Sequence, residues 1–399
     1  MKRVSACVLF SSVFIFMPGV CLSTSAAQLS TQTDSSQPTL SRDTQVTVNV
    51  LQVPSLLIAE NKQYLVYEIF LTNFKNTSVE LTGLDIKDKK KSARVITSFD
   101  EAALTRMMTP IGVKYSSDDA TIILPGMQKI LYMWLPFDED VDVPNAIRHV
   151  FTFQPLNDNA KSVALAPAPM PVNTSDPVIV GAPLRGDNWV AGNGPSNSSE
   201  HRRAYNIGDG IIYFSQRYAI DFVKIGANGL TFKGDISKNA SYYSYQSAVY
   251  SVASGRVIAV RNDIPENTPN SGTTAVAMDK DTASGNYVFV DIGDNHYALY
   301  AHLIPGSIQV KPGDRVAKGQ TLGKLGNSGN SSEPHLHFHI TDGPDIIYAN
   351  GITYGFEDFS LRPSQNIDGS AIQIKVLGDN LTRYRNQSLL ENGVVKFPD

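Results

Sequence analysis

The stretch Pro334-His335-Leu336-His337-Phe338-His339-Ile340 constrains this chain more than any other. Polar and apolar residues alternate there with a period of two, the side-chain period of a β-strand. His335, His337 and His339 therefore share one face, and Leu336, Phe338 and Ile340 share the opposite one. Burying the apolar row pins the register, because a slip of one residue would exchange the two faces. A chain that builds this strand commits to a sheet with an apolar layer behind it and three imidazoles in front. Two histidines at i and i+2 can share one metal environment. The first and third stand about 13 Å apart at strand rise and cannot.

A second element, Leu299-Tyr300-Ala301-His302-Leu303, alternates in the same way, so Tyr300 and His302 are expected on one face with Leu299 and Ala301 opposite. Two further histidines read as bland. His296 follows the hairpin-turn signal Gly293-Asp294-Asn295 and is expected as a loop residue, and His149 beside Arg148 as a structural or surface one. Both cysteines, Cys7 and Cys21, fall in a segment that reads as a secretory leader. Lys2 and Arg3 begin it, Val4 to Met17 form its apolar run, and Ser25-Ala26-Ala27 supplies small residues for cleavage. A mature chain from Gln28 would hold no cysteine, which excludes disulfides, thiol nucleophiles and Cys-based zinc sites. Any metal must then be held by His, Asp or Glu. A net charge of -4 without a basic stripe argues against nucleic acid as partner. No second apolar run reaches the ~20 residues of a membrane helix, so no integral membrane segment is expected in the mature, exported chain.

The rest of the sequence reads as mainly β. Residues 28–43 are rich in Ser, Thr and Gln and are expected as a flexible spacer. Short β-rich runs separated by turn chemistry, among them Tyr64 to Leu71, Ile130 to Leu135 and Val150 to Phe153, suggest an Ig-like antiparallel β-sandwich over 44–175. A Pro/Ala stretch and then a Gly/Asn/Ser-rich one mark a linker, placed at 176–200. A second β domain follows over 201–345, and 346–399 is expected as a C-terminal extension packing on it.

With His335-Leu336-His337 and Tyr300-Ala301-His302-Leu303 in view, the sequence resembles the M23 (LytM-type) zinc metallopeptidases. The resemblance extends through Val252 to Val257, Gly285 to Val288, Val310 to Gln320 and Leu325 to Asn330, and covers about residues 201–345. The longer pattern is similar to a secreted branch with an N-terminal β-sandwich, on Tyr67-Glu68, Pro183 to Gly186, Trp189 and His201-Arg202-Arg203. The resemblance implies an antiparallel β architecture with a groove floored by one sheet, one Zn2+ per chain, and hydrolysis of peptide bonds in peptidoglycan. It implies His337 and Asp221 as zinc ligands, with His302 and His335 flanking the catalytic water. Non-ligand histidines there suit the chemistry, since a neutral imidazole accepts a proton and an N–H stabilises an oxyanion.

One position departs from the family. Its first zinc ligand is a His four residues before the Asp, and here that place is Arg217. A protonated guanidinium cannot coordinate zinc. By elimination His201 is the candidate third ligand, with His339 as competitor or as a residue behind the ligands. If its segment were extended, Arg217 would share the Asp221 face, as an ion-pair partner or a contact for a substrate carboxylate. The expected function is a secreted zinc metalloendopeptidase acting on peptidoglycan peptides, in the periplasm or outside the cell. The alternative is a non-catalytic relative that binds cell wall or activates a partner amidase. The Tyr-rich stretch Gly226 to Gln246 is the expected specificity loop, and the peptidase region is expected to keep its metal without the sandwich.

Overall fold

The computed structural model describes residues 39–41, 44–89, 94–112, 120–157, 160–367 and 373–399. The expected leader (1–27) and the spacer up to residue 38 lie outside the described residues. The end of that spacer does not stay free: Thr39–Leu40 pairs in parallel with Val163 and Ala164.

Among the described residues regular structure is almost entirely β, with helices only at Glu101–Met107 and Glu200–Arg203 and one 3-10 turn at Asn239–Ser241. Two sheets face each other in the first half. Lys62–Asn73 runs antiparallel to Gln128–Asp138 along its whole length in one sheet, and Val79–Asp88 pairs with Ala146–Pro155 in the other. Leu65, Tyr67, Ile69 and Leu71 from the first sheet meet Leu81, Leu84, Phe151 and Phe153 from the second in a shared core. The opposite row of the same strand is buried too. Tyr64 and Val66 pack with Tyr218, Phe338 and Tyr354 of the second half, and Phe70 packs with Phe214 at 6.4 Å between ring centres. A strand covered on both faces reads as a nearly unbroken apolar run, as Tyr64 to Leu71 does.

The second half is organised by a ten-stranded sheet whose hydrogen-bonded pairs are all antiparallel. At its centre His296–Leu303, Leu336–Thr341, Ile220–Lys224 and Gly186–Gly192 lie side by side. Gly186–Gly192 comes from the segment expected as a linker. Its run Trp189-Val190-Ala191 is fully buried, and apolar residues of that kind find a sheet rather than solvent. The C-terminal residues do more than pack against this sheet. Phe359–Arg362, Thr382–Tyr384 and Val394–Phe397 extend it edge to edge. Pro38–Asp399 accordingly holds together as one unit. No helix among the described residues is long and apolar enough to cross a membrane.

Candidate active site

The register of three central strands assembles the site. His337 stands opposite Asp221 on one side and Ala301 on the other, and Asp221 in turn stands opposite Gly192. Leu336, Phe338 and Ile340 enter the core with Tyr300. His335, His337 and His339 consequently share the other face, as the alternation requires.

His302 reaches that face by a different route. Tyr300 lies in the core against Phe338, 5.3 Å between ring centres, so strict alternation would send His302 into the core as well. The register between Asn286–Gly293 and His296–Leu303 shifts at this point, and His302 adopts φ = 65°. A bulge with a left-handed residue re-aims a side chain. The His302 ring thereby sits 4.6 Å from that of His335 and 5.8 Å from that of His337. Tyr300 and His302 do not share a face, contrary to expectation. A non-glycine residue held at positive φ is costly and persists only where its surroundings fix it.

His201, Asp221 and His337 each offer a ligand atom, all within 4.8 Å of one another. His201 comes from the single turn Glu200–Arg203, and its Nε2 is 3.3 Å from Asp221 Oδ2. His337 Nδ1 lies 2.9 Å from Asp221 Oδ1, and its Nε2 lies 2.9 Å from His339 Nδ1. His339 therefore stands behind His337 rather than beside the carboxylate. Two imidazoles and one carboxylate form a donor set that suits zinc with an open position.

Asn193, which sequence reasoning missed, orders this group. Its carbonyl accepts from His201 Nδ1 at 2.9 Å and from Ser199 Oγ at 2.8 Å. Its side-chain amide donates to Asp221 Oδ2 at 3.0 Å. The first bond places the His201 proton on Nδ1 and leaves a lone pair on Nε2, facing Asp221. Asn193 has φ = 46°, a conformation asparagine tolerates better than most residues. The sequence signal was slight: an Asn just past a buried apolar run.

His302 and His335 are oriented by the same device. His302 Nδ1 donates to the Ser328 carbonyl at 2.8 Å, and His335 Nδ1 to the Glu333 carbonyl at 2.9 Å. Both therefore turn Nε2 toward the cavity they line. Burial and the neighbouring His335 and His337 hold His302 well below the usual histidine range. Burial would lower His335 too, but the Asp221 carboxylate outweighs it and raises the imidazole. Burial alone would raise the Asp221 carboxyl. The adjacent His201 and His335, with hydrogen bonds from His335 and His337, instead hold it well below the carboxylate range.

These side chains border a cavity of about 420 Å³ that is also lined by Glu200, Gln216, Ser284, Asn330 and Ser332. No residue of 226–246, the expected specificity loop, lines it. Tyr242 there is buried against Phe232, and Tyr245 donates to Glu266 at 2.6 Å. His296 begins the strand that ends near His302 and lies apart from the cluster. His149 is buried in the sandwich, with Tyr67 Oη 2.8 Å from its Nε2.

Arg217 does not share the Asp221 face, because residues 215–218 form a turn, closed by Arg217 N–H to Phe214 O at 3.2 Å. Its guanidinium donates to Glu68 through Nε at 2.9 Å and Nη2 at 2.7 Å. It also donates to Gln52 and, at 3.2 Å, to the Gly351 carbonyl. It is thus the ion-pair partner of an acid and does not line the cavity.

Residues 241–347 match Peptidase family M23. That span contains His302, His335, His337 and His339 and excludes His201 and Asp221. The chain is 38% identical over 80 residues to Peptidoglycan DD-endopeptidase ShyA of Vibrio cholerae serotype O1, covering 19% of this chain and 18% of that protein. It is 34% identical over 88 residues to Peptidoglycan DD-endopeptidase ShyC of the same organism, covering 22% and 18%. It is 38% identical over 82 residues to Endolysin 2638A of Staphylococcus phage 2638A, covering 20% and 16%. The chain spans less than a fifth of the length of each of these relatives. Among solved structures, the catalytic domain of the antimicrobial peptidase lysostaphin from Staphylococcus simulans is similar at 21% identity, over 41% of this chain and 88% of that one, with a TM-score of 0.23.

Proposed function

We propose, on the premise that residues 241–347 form a peptidase family M23 domain, that this chain is an exported zinc endopeptidase hydrolysing peptide bonds in peptidoglycan. The observation that carries the reading is the convergence of His201, Asp221 and His337 within 4.8 Å, beside His302 and His335 on one cavity. The substrate class is supported by the relatives named as peptidoglycan endopeptidases.

His201 through Nε2, Asp221 through its carboxylate and His337 through Nδ1 would hold one zinc ion. Zinc, when bound, supplies Lewis acidity, drawing the pKa of a water toward ~7 and polarising a carbonyl. The chain's own contribution is proton handling and orientation. His302 and His335 each keep Nδ1 occupied by a backbone carbonyl, so only Nε2 is available to the cavity. A neutral imidazole there accepts a proton from water at Nε2 and returns it to the leaving amine, while the second, protonated on both nitrogens, donates its Nε2–H to negative charge on the scissile oxygen. Asn330, Ser331 and Ser332 offer uncharged polar contacts along the cavity wall, suited to an extended peptide backbone.

The test is digestion of purified peptidoglycan by the full chain, with mass spectrometry of the products, run with and without a chelator. New muropeptides that disappear with chelator are expected. Unchanged muropeptides in both arms would favour a non-catalytic, wall-binding protein.

A further inference from the structure

His201 is carried by a helical turn of four residues, Glu200–Arg203, whose first residue has no side-chain cap. A single turn of this length does not hold itself, because nucleation costs more than its few hydrogen bonds return. Something else must fix it, and most of its outward tethers lead to the sandwich. Arg202 donates to the Glu68 carboxylate and, at 3.0 Å, to the Tyr67 carbonyl, with its guanidinium carbon 5.1 Å from the centre of the Tyr132 ring. Arg203 donates to the Arg106 carbonyl at 2.6 Å, and Tyr132 Oη donates to the Arg203 carbonyl at 3.3 Å. Just before the turn, Asn197 donates to the Tyr132 carbonyl at 3.0 Å. His201 reaches the other way, to Asn193 and Asp221.

The same Glu68 carboxylate holds Arg217, four residues before Asp221. Glu68, Arg202 and Arg217 are 3%, 0% and 5% exposed. Glu68 also interrupts an otherwise apolar row, Tyr64, Val66 and Phe70, on the face of its strand that meets the second half. One buried acid thus fastens both the turn that carries His201 and the turn that leads into the Asp221 strand.

We propose that Glu68, through Arg202, is a positioning residue for the metal-binding side chains, so that the sandwich completes the metal centre rather than serving as a separable addition. This rests on the reading of His201 as a ligand. It reverses the sequence-based expectation that the peptidase region keeps its metal alone.

The charge count supplies a usable variant. Two guanidiniums share one carboxylate, so Arg202→Met removes the turn's bonds to Glu68 and the Tyr67 carbonyl, keeps those of Arg203, and leaves a neutral Glu68–Arg217 pair. The full chain carrying Arg202→Met is compared with wild type and His201→Ala by competition with a chromophoric zinc chelator and by the absorption spectrum of the cobalt(II) form. Zinc binding at least 10-fold weaker, with an altered cobalt spectrum, is expected for Arg202→Met. Wild-type affinity and spectrum in Arg202→Met, with binding lost in His201→Ala, would overturn the positioning role alone. Undiminished binding in His201→Ala would overturn the ligand reading beneath it. Should Arg202→Met not fold, hydrogen exchange of the wild-type chain decides the same question. Zinc should slow exchange at Tyr67 and Glu68 together with residues 200–204. Protection confined to the strands of Asp221 and His337 would contradict the proposal.

Discussion

Two groups of buried charge stand on either side of the turn Glu200–Arg203, and they are built on opposite plans. Around Asp221 the imidazoles of His201, His302 and His335 spend Nδ1 on backbone carbonyls and present Nε2 to a neighbour or to a cavity of about 420 Å³. Around Glu68 the polar atoms are answered almost entirely by protein. Burial would raise that carboxyl, yet Arg202 and Arg217 hold it below its ordinary range. Within this group Arg202 Nε alone lacks a partner among the described residues. The first group keeps donor and acceptor capacity in hand and can do chemistry. The second spends its capacity on position. Charge clustering by itself therefore does not mark an active site; capacity left facing a cavity does.

Substitutions should separate the two groups by what they damage. The largest effect belongs to the open one: His335→Ala should cut kcat/KM on peptidoglycan peptides by roughly 10²–10⁴-fold, with circular dichroism and melting temperature close to wild type. A comparable loss of melting temperature would blur the distinction. Next comes Glu68→Gln, which leaves two buried guanidiniums without a counter-charge. Urea unfolding should show a loss of about 3–5 kcal/mol, and a loss below about 1 kcal/mol would contradict the closed reading.

A smaller effect should come from His149, which belongs to neither group and contacts Tyr67 Oη at 2.8 Å. Burial holds its pKa down at about 4, against about 6.5 for a histidine in an unfolded chain. Between these values the unfolded chain takes up a proton that the folded chain refuses. Stability should therefore fall by about 2–3 kcal/mol as pH drops from about 6.5 to 4. His149→Phe should flatten that slope in melts at pH 7 and pH 4.5. Smallest is Asn193→Gly, which tolerates the positive φ, removes one amide bond to Asp221 and keeps the carbonyl that orients His201. Zinc affinity measured by chelator competition should weaken about 10-fold.

The two groups also differed in how far sequence could reveal them. The histidine strand was legible because one apolar row fixes its register, so the face of each imidazole follows from counting by two. His302 was legible as a residue and not as a direction, since a bulge and a positive φ break the count at that position. The Glu68 group was visible only in fragments. Arg217 stood out in the place of an expected ligand, but its acid lies 149 residues earlier in the chain. Glu68 sits inside an apolar run that signals burial on both faces, and a charge there implies a buried partner without saying which. The strand Gly186–Gly192 was lost within a Gly- and Pro-rich neighbourhood, although Trp189-Val190-Ala191 carried enough apolar surface to demand a place in the sheet.

The central claim is that His201, from outside the matched M23 span, completes a zinc site with Asp221 and His337. Elemental analysis of the full chain, stripped of metal, reloaded with zinc and desalted, tests it most directly. About one zinc per chain is expected in wild type and almost none in His201→Ala, with the fold of both intact. One zinc per chain retained by His201→Ala would contradict it.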